Sequence, residues 1–120
     1  MKKMLPVLLI CSLVATSVYA DTTTVISNPT VPQIKWISKN SNDPFTIQNG
    51  AGIPLVITIT VNPGPSVGAV GVNVKNCGTT THIDAGSATV CSTSDSNNPV
   101  TLTSDSATMP ATGTYQLKPS

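Results

Sequence analysis

Between Pro54 and Val61 the chain alternates, with Val56 the one apolar residue out of phase. Leu55, Ile57, Ile59 and Val61 are apolar, and Thr58 and Thr60 stand between the last of them. Successive side chains of a β-strand point to opposite faces, so this spacing gathers the four apolar groups into one stripe with the hydroxyls opposite. A strand with one apolar face needs a second layer to cover it. Asn62-Pro63-Gly64-Pro65 ends the run, since prolines cannot donate to a ladder and Asn and Gly favour turns.

The same period recurs along the chain. Ile34 and Trp36 share a face within Gln33–Ser38, as do Phe45 and Ile47 within Phe45–Gln48. Val70, Val72 and Val74 follow, then Val100 and Leu102, then Tyr115 and Leu117 within Gly113–Lys118. Thr23–Ser27 reads as a short edge strand. Turn residues separate the runs: Lys39 to Pro44, Asn49-Gly50-Ala51-Gly52, Asn97-Asn98-Pro99 and the loop around Pro110. Asn-Gly is a strong hairpin signal because both residues tolerate positive φ. Short alternating strands punctuated in this way, seven or eight of them, indicate an antiparallel β-sandwich. The near-absence of strong helix formers agrees: there is no Glu and no Arg, while Thr, Ser, Asn and Val abound.

The first twenty residues read as a secretory signal. Lys2 and Lys3 form a charged start, Leu5–Val14 an apolar stretch containing Cys11, and Val18-Tyr19-Ala20 a small-residue cleavage site. The apolar stretch is shorter than the roughly 20 residues of a membrane span. The expected organisation is a signal peptide over 1–20, a lead or edge strand over 21–32, and an immunoglobulin-like β-sandwich over 33–120. An exported location follows: periplasm, cell surface or medium, with no membrane span after cleavage. Once Lys2 and Lys3 are removed, four lysines face five aspartates, a net charge of −1. Nucleic-acid binding requires several cationic contacts with phosphate, so that class is excluded.

Two cysteines, Cys77 and Cys91, remain after cleavage, and an oxidising compartment permits them to pair. A turn centred on Asp84-Ala85-Gly86 would set them opposite each other across a hairpin. Simple alternation puts Cys77 on the face of Lys75, which predicts a local staple on the polar side. A bulge at Asn76–Gly78 would reverse that parity.

The order Phe45-Thr46-Ile47-Gln48-Asn49, Pro54-Leu55-Val56-Ile57, Cys77-Gly78-Thr79, Ile83-Asp84-Ala85-Gly86-Ser87 and Thr112-Gly113-Thr114-Tyr115 resembles bacterial immunoglobulin-like modules of the ASH/MSP type. The resemblance spans residues 44–118. Ala85 stands where that pattern has Pro, and Cys91 lies outside it. The resemblance implies an immunoglobulin-like fold of about seven strands with a binding or scaffolding role, and it brings no catalytic residues.

Few residues could carry chemistry. His82 is the single histidine, with Asp84 two positions on. A Ser/His/Asp arrangement can be drawn with it, but there is no Gly-x-Ser-x-Gly elbow. Asp84, Asp95 and Asp105 follow no calcium-loop spacing, and no cofactor motif is present. Trp36 and His82 are the candidate binding residues. Trp36, sharing a face with Ile34, reads first as a core anchor. The expectation is a non-enzymatic module whose partner is a protein or an envelope or surface component. Two alternatives are a pilus or adhesin subunit exchanging the Thr22–Ile26 arm, and a small secreted hydrolase using His82.

Overall fold

The computed structural model describes residues 22–28, 31–64, 70–94 and 96–120. The expected signal peptide with Cys11, together with Asp21, Pro29, Gly68 and Asp95, lies outside them. The described residues form nine strands and no helix: β1 Thr22–Ile26, β2 Val31–Ser38, β3 Phe45–Asn49, β4 Leu55–Val61, β5 Val72–Cys77, β6 Thr80–Ile83, β7 Ala88–Thr93, β8 Val100–Ser104 and β9 Ala111–Pro119. They make two packed sheets, one ordered β1-β3-β8-β5-β6 and the other β2-β9-β4-β7. All pairings are antiparallel except that of β1 with β3.

Alternation builds the core. Leu55, Ile57, Ile59 and Val61 are completely buried, while Val56, Thr58 and Thr60 are half-buried on the other face of β4. Burying each such aliphatic side chain contributes about 1.5–3 kcal/mol. From the facing sheet come Ile47, Val72, Val100 and Leu102, all fully buried. Trp36, Phe45 and Tyr115 form an aromatic row, with ring centroids 6.1 Å and 5.9 Å apart. Trp36 pairs across the ladder with Gly113, and its indole lies where a Cβ on that glycine would stand, 2.6 Å from Cζ2. Any side chain at Gly113 would also meet the Thr60 carbonyl.

The chain changes sheet at almost every connection, and this corrects two sequence expectations. Asn49-Gly50-Ala51-Gly52 does not close a hairpin, because β3 and β4 belong to different sheets. The segment is a crossover locked by Asn49, which is 4% exposed. The Asn49 Nδ2 donates to the carbonyls of Ile53 and Thr93, each at 2.8 Å, and its Oδ1 accepts from the Ala51 N–H at 2.9 Å. The turn at Asp84–Ser87 likewise carries the chain from β6 in one sheet to β7 in the other. The hairpin of this region is instead β5–β6, turned at Gly78.

The disulfide is therefore not a local staple. Cys77 and Cys91 are bonded, with Cα atoms 5.3 Å apart, and they join β5 of one sheet to β7 of the other. Both are buried. The alternation breaks at one residue: Asn76 adopts φ of 62°, Lys75 and Asn76 are exposed in succession, and Cys77 turns inward. The β5–β6 register shifts at the same place. The closed loop spans 14 positions, a length for which cross-linking stabilises by about 3 kcal/mol. Reduction, or replacement of both cysteines by Ser, is expected to lower the unfolding free energy by that amount in urea titration. No change would contradict the cross-sheet role.

Candidate functional site

His82 sits on β6, paired in register with Asn73 of β5. Its Nε2 lies 2.6 Å from Asp105 Oδ2, and its Nδ1 lies 3.3 Å from Asp84 Oδ1. A carboxylate only accepts, so Nε2 carries the hydrogen toward Asp105. Asp84 follows β6 directly, as the alternation of the strand implied. Asp105 comes from the turn after β8, two strands away. It is brought there because its N–H donates to the Gly71 carbonyl at 3.0 Å, which sets the start of the turn beside β5.

The ring reaches Asp105 by passing over Gly71. A Cβ at that position would stand 2.6 Å from the Ile83 carbonyl and 3.1–3.2 Å from the imidazole. Only the bare backbone lets the histidine of β6 span β5. The juxtaposition of His82 with Asp105 was not legible from the sequence, since 23 positions separate them. Gly71, standing between Val70 and Val72, was the available signal in the sequence.

What this cluster can do follows from its geometry. Both ring nitrogens face carboxylates, so neither is directed at a hydroxyl that it could activate, as a general base requires. The two carboxylates lie at opposite nitrogens rather than converging on one point. Among the described residues, no group of three or more His, Cys, Asp or Glu is placed to hold a metal ion. The side chains are open to solvent: His82 is 35%, Asp105 40% and Asp84 84% exposed. Exposed pairs of this kind contribute little, about 0–1 kcal/mol.

A groove of about 330 Å³ opens on the outer face of the same sheet, lined by Pro44, Asn73, Val74, Lys75, Thr101 and Thr103. Lys75 is its single ionisable group. Trp36, the other candidate binding residue, is 2% exposed and belongs to the core. Its Nε1 and the Tyr115 hydroxyl are buried without a hydrogen-bond partner. Burial pushes the Tyr115 phenol above its usual range, with the Thr24 side chain of β1 pulling the other way, although the two do not reach full hydrogen-bond geometry.

Comparison with family models, with curated proteins and with solved structures finds no match to this chain. Among the described residues no helix is long and apolar enough to cross a membrane.

Two measurements check these readings. Gly71→Ala overpacks the crossing and is expected to cost about 1–3 kcal/mol, whereas His82→Ala removes an exposed cluster and costs less than about 1 kcal/mol. Urea titration giving the reverse order would contradict the role assigned to Gly71. The raised Tyr115 titration has a definite sign. The fold holds the neutral phenol, so its contribution is complete below the unfolded tyrosine pKa of about 10 and is lost as pH rises through the folded value. Stability should fall above about pH 10 more steeply than in Tyr115→Phe, with phenolate absorbance appearing at higher pH than in the unfolded chain.

Proposed function

We propose that this chain is an exported, non-enzymatic binding or scaffolding module with an immunoglobulin-like sandwich, acting in the periplasm, at the cell surface or outside the cell. It engages a protein or an envelope or surface component through its sheet edges and loops. The observation that carries this reading is the state of the acid–base cluster at His82. His82 is bracketed by Asp84 and Asp105 on an open sheet surface, which leaves neither ring nitrogen facing a hydroxyl it could activate. The disulfide suits an oxidising compartment, and the sandwich presents free strand edges, which recognise extended segments by backbone hydrogen bonding.

A pilus or adhesin role with strand exchange keeps one specific observation in its favour. Among the described residues the N-terminal β1 pairs in a ladder only with β3, in parallel, and Ile26 is its one buried apolar side chain. Parallel pairing is slightly weaker per residue than antiparallel, so such an arm exchanges at low cost.

The oxidised protein, immobilised and exposed to envelope and host extracts, is expected to retain a specific protein or surface component. Retention from neither extract contradicts the binding reading. Generic ester, peptide and glycan substrates should be turned over neither by the protein nor by His82→Ala. Turnover that disappears in His82→Ala would establish the hydrolase instead.

A further inference from the structure

Among the described residues four strands end the two sheets: β1 and β6 in one, β2 and β7 in the other. Soluble proteins blunt such edges with charge, proline, bulges or short length. β2 carries Pro32 and Lys35, and its register with β9 shifts between Val31 and Ile34. β6 has four residues and a shifted register with β5. β1 adjoins chain segments outside the described residues. β7 has none of these protections. It runs six residues, Ala-Thr-Val-Cys-Ser-Thr, in unbroken register with β4. No charge or proline occurs from Ser87 to Ser94.

Its free backbone groups can be assigned. The Val61 N–H donates to the Ser87 carbonyl at 2.9 Å, and hydrogen-bonded pairs alternate along an antiparallel ladder. In the β4–β7 register, Thr89, Cys91 and Thr93 therefore bond toward β4. Ala88, Val90 and Ser92 direct their N–H and C=O groups to the open edge. The side chains of these three also face solvent, and Val90, at 61%, is the most exposed large apolar residue described. The edge is held rigid from beneath by the Cys77–Cys91 bond, which lowers the ordering cost of adding a strand.

We propose that β7 pairs with β7 of a second copy of this chain, antiparallel about a two-fold axis at Val90, joining two four-stranded sheets into one. This rests on the reading of the molecule as a binding module and names one of its partners. An added strand must bring an open edge of its own, and a second copy does so by construction. The strand is also self-complementary. About this axis Val90 meets Val90, Ala88 meets Ser92, each residue exchanges both its backbone bonds, and no like charges face each other within the strand. A single-strand join is small, at the weak end of protein interfaces, so the dimer depends on concentration.

Sedimentation equilibrium of the oxidised protein is expected to show a monomer–dimer equilibrium. Val90→Lys sets two ammonium groups against each other across the axis and should weaken dimerisation by about tenfold or more, with unchanged thermal unfolding of the monomer because the side chain is exposed. Register is read by cross-linking. Hydrogen-bonded partners lie about 5.5 Å apart at Cα, within disulfide reach. Val90→Cys should therefore oxidise to a covalent dimer faster than Ser92→Cys, which faces Ala88 rather than itself. A monomer at millimolar protein, an undiminished dimer in Val90→Lys, or equal cross-linking by the two cysteine variants would overturn the proposal. A monomer that still retains a component of the extracts would overturn the self-pairing alone and leave the binding reading standing.

Discussion

Among the described residues the Cys77–Cys91 bond is the one covalent tie between side chains of the two sheets, and it exists because Asn76 adopts a left-handed backbone. Without that extra residue Cys77 would face solvent with Lys75, and no bridge to β7 could form. Asparagine accepts positive φ better than other residues with a Cβ, so the bulge is encoded by a single side-chain type. Polar ties reinforce the join elsewhere. Asn49 of β3 holds the Thr93 carbonyl of β7, the Ser104 N–H of β8 donates to the Ser38 hydroxyl of β2 at 2.8 Å, and the hydroxyls of Thr80 and Thr89 meet at 3.2 Å between β6 and β7. The side where β1 and β2 end the sheets is held differently. There the aromatic row dominates, and the indole N–H and phenol hydroxyl lack partners. An unmade buried hydrogen bond is costly, so this flank relies on packing and on the Ser38–Ser104 bond where the other has a covalent pin.

This asymmetry bears on what the protein does. A pinned flank fastens β7, whose register with β4 is unbroken, and an edge needs such order if it is to receive another strand. The His82 cluster sits on the same flank, with its ring nitrogens facing Asp84 and Asp105. On the proposed reading, function resides in the sheet edges and loops.

Strand positions were legible from the sequence because burial on one face writes a period of two: Leu55–Val61, Phe45–Gln48 and Val100–Leu102 lie in strands with the expected inward faces. Sheet membership was not legible. The residues that turn a hairpin also turn a crossover, since positive φ says where the chain bends and not where it goes. Gly52 and Gly86 both have positive φ, and both lie in connections between sheets. The cysteine parity was lost to one inserted residue, because a period of two has no tolerance for a slip. The cluster was half legible: Asp84 follows His82 by local spacing, whereas Asp105 arrives through the β5–β8 pairing, which no local pattern encodes.

The central claim is that the disulfide makes the β7 edge rigid by fastening it to the opposite sheet. Residue-resolved amide hydrogen exchange, in oxidised and reduced protein at a dilution where the chain is monomeric, tests it most directly. The account predicts that reduction sharply lowers protection at Thr89, Cys91 and Thr93, whose amides bond toward β4, while the β4–β9 ladder largely keeps its protection. Equal protection of the β7 amides in both redox states would contradict it.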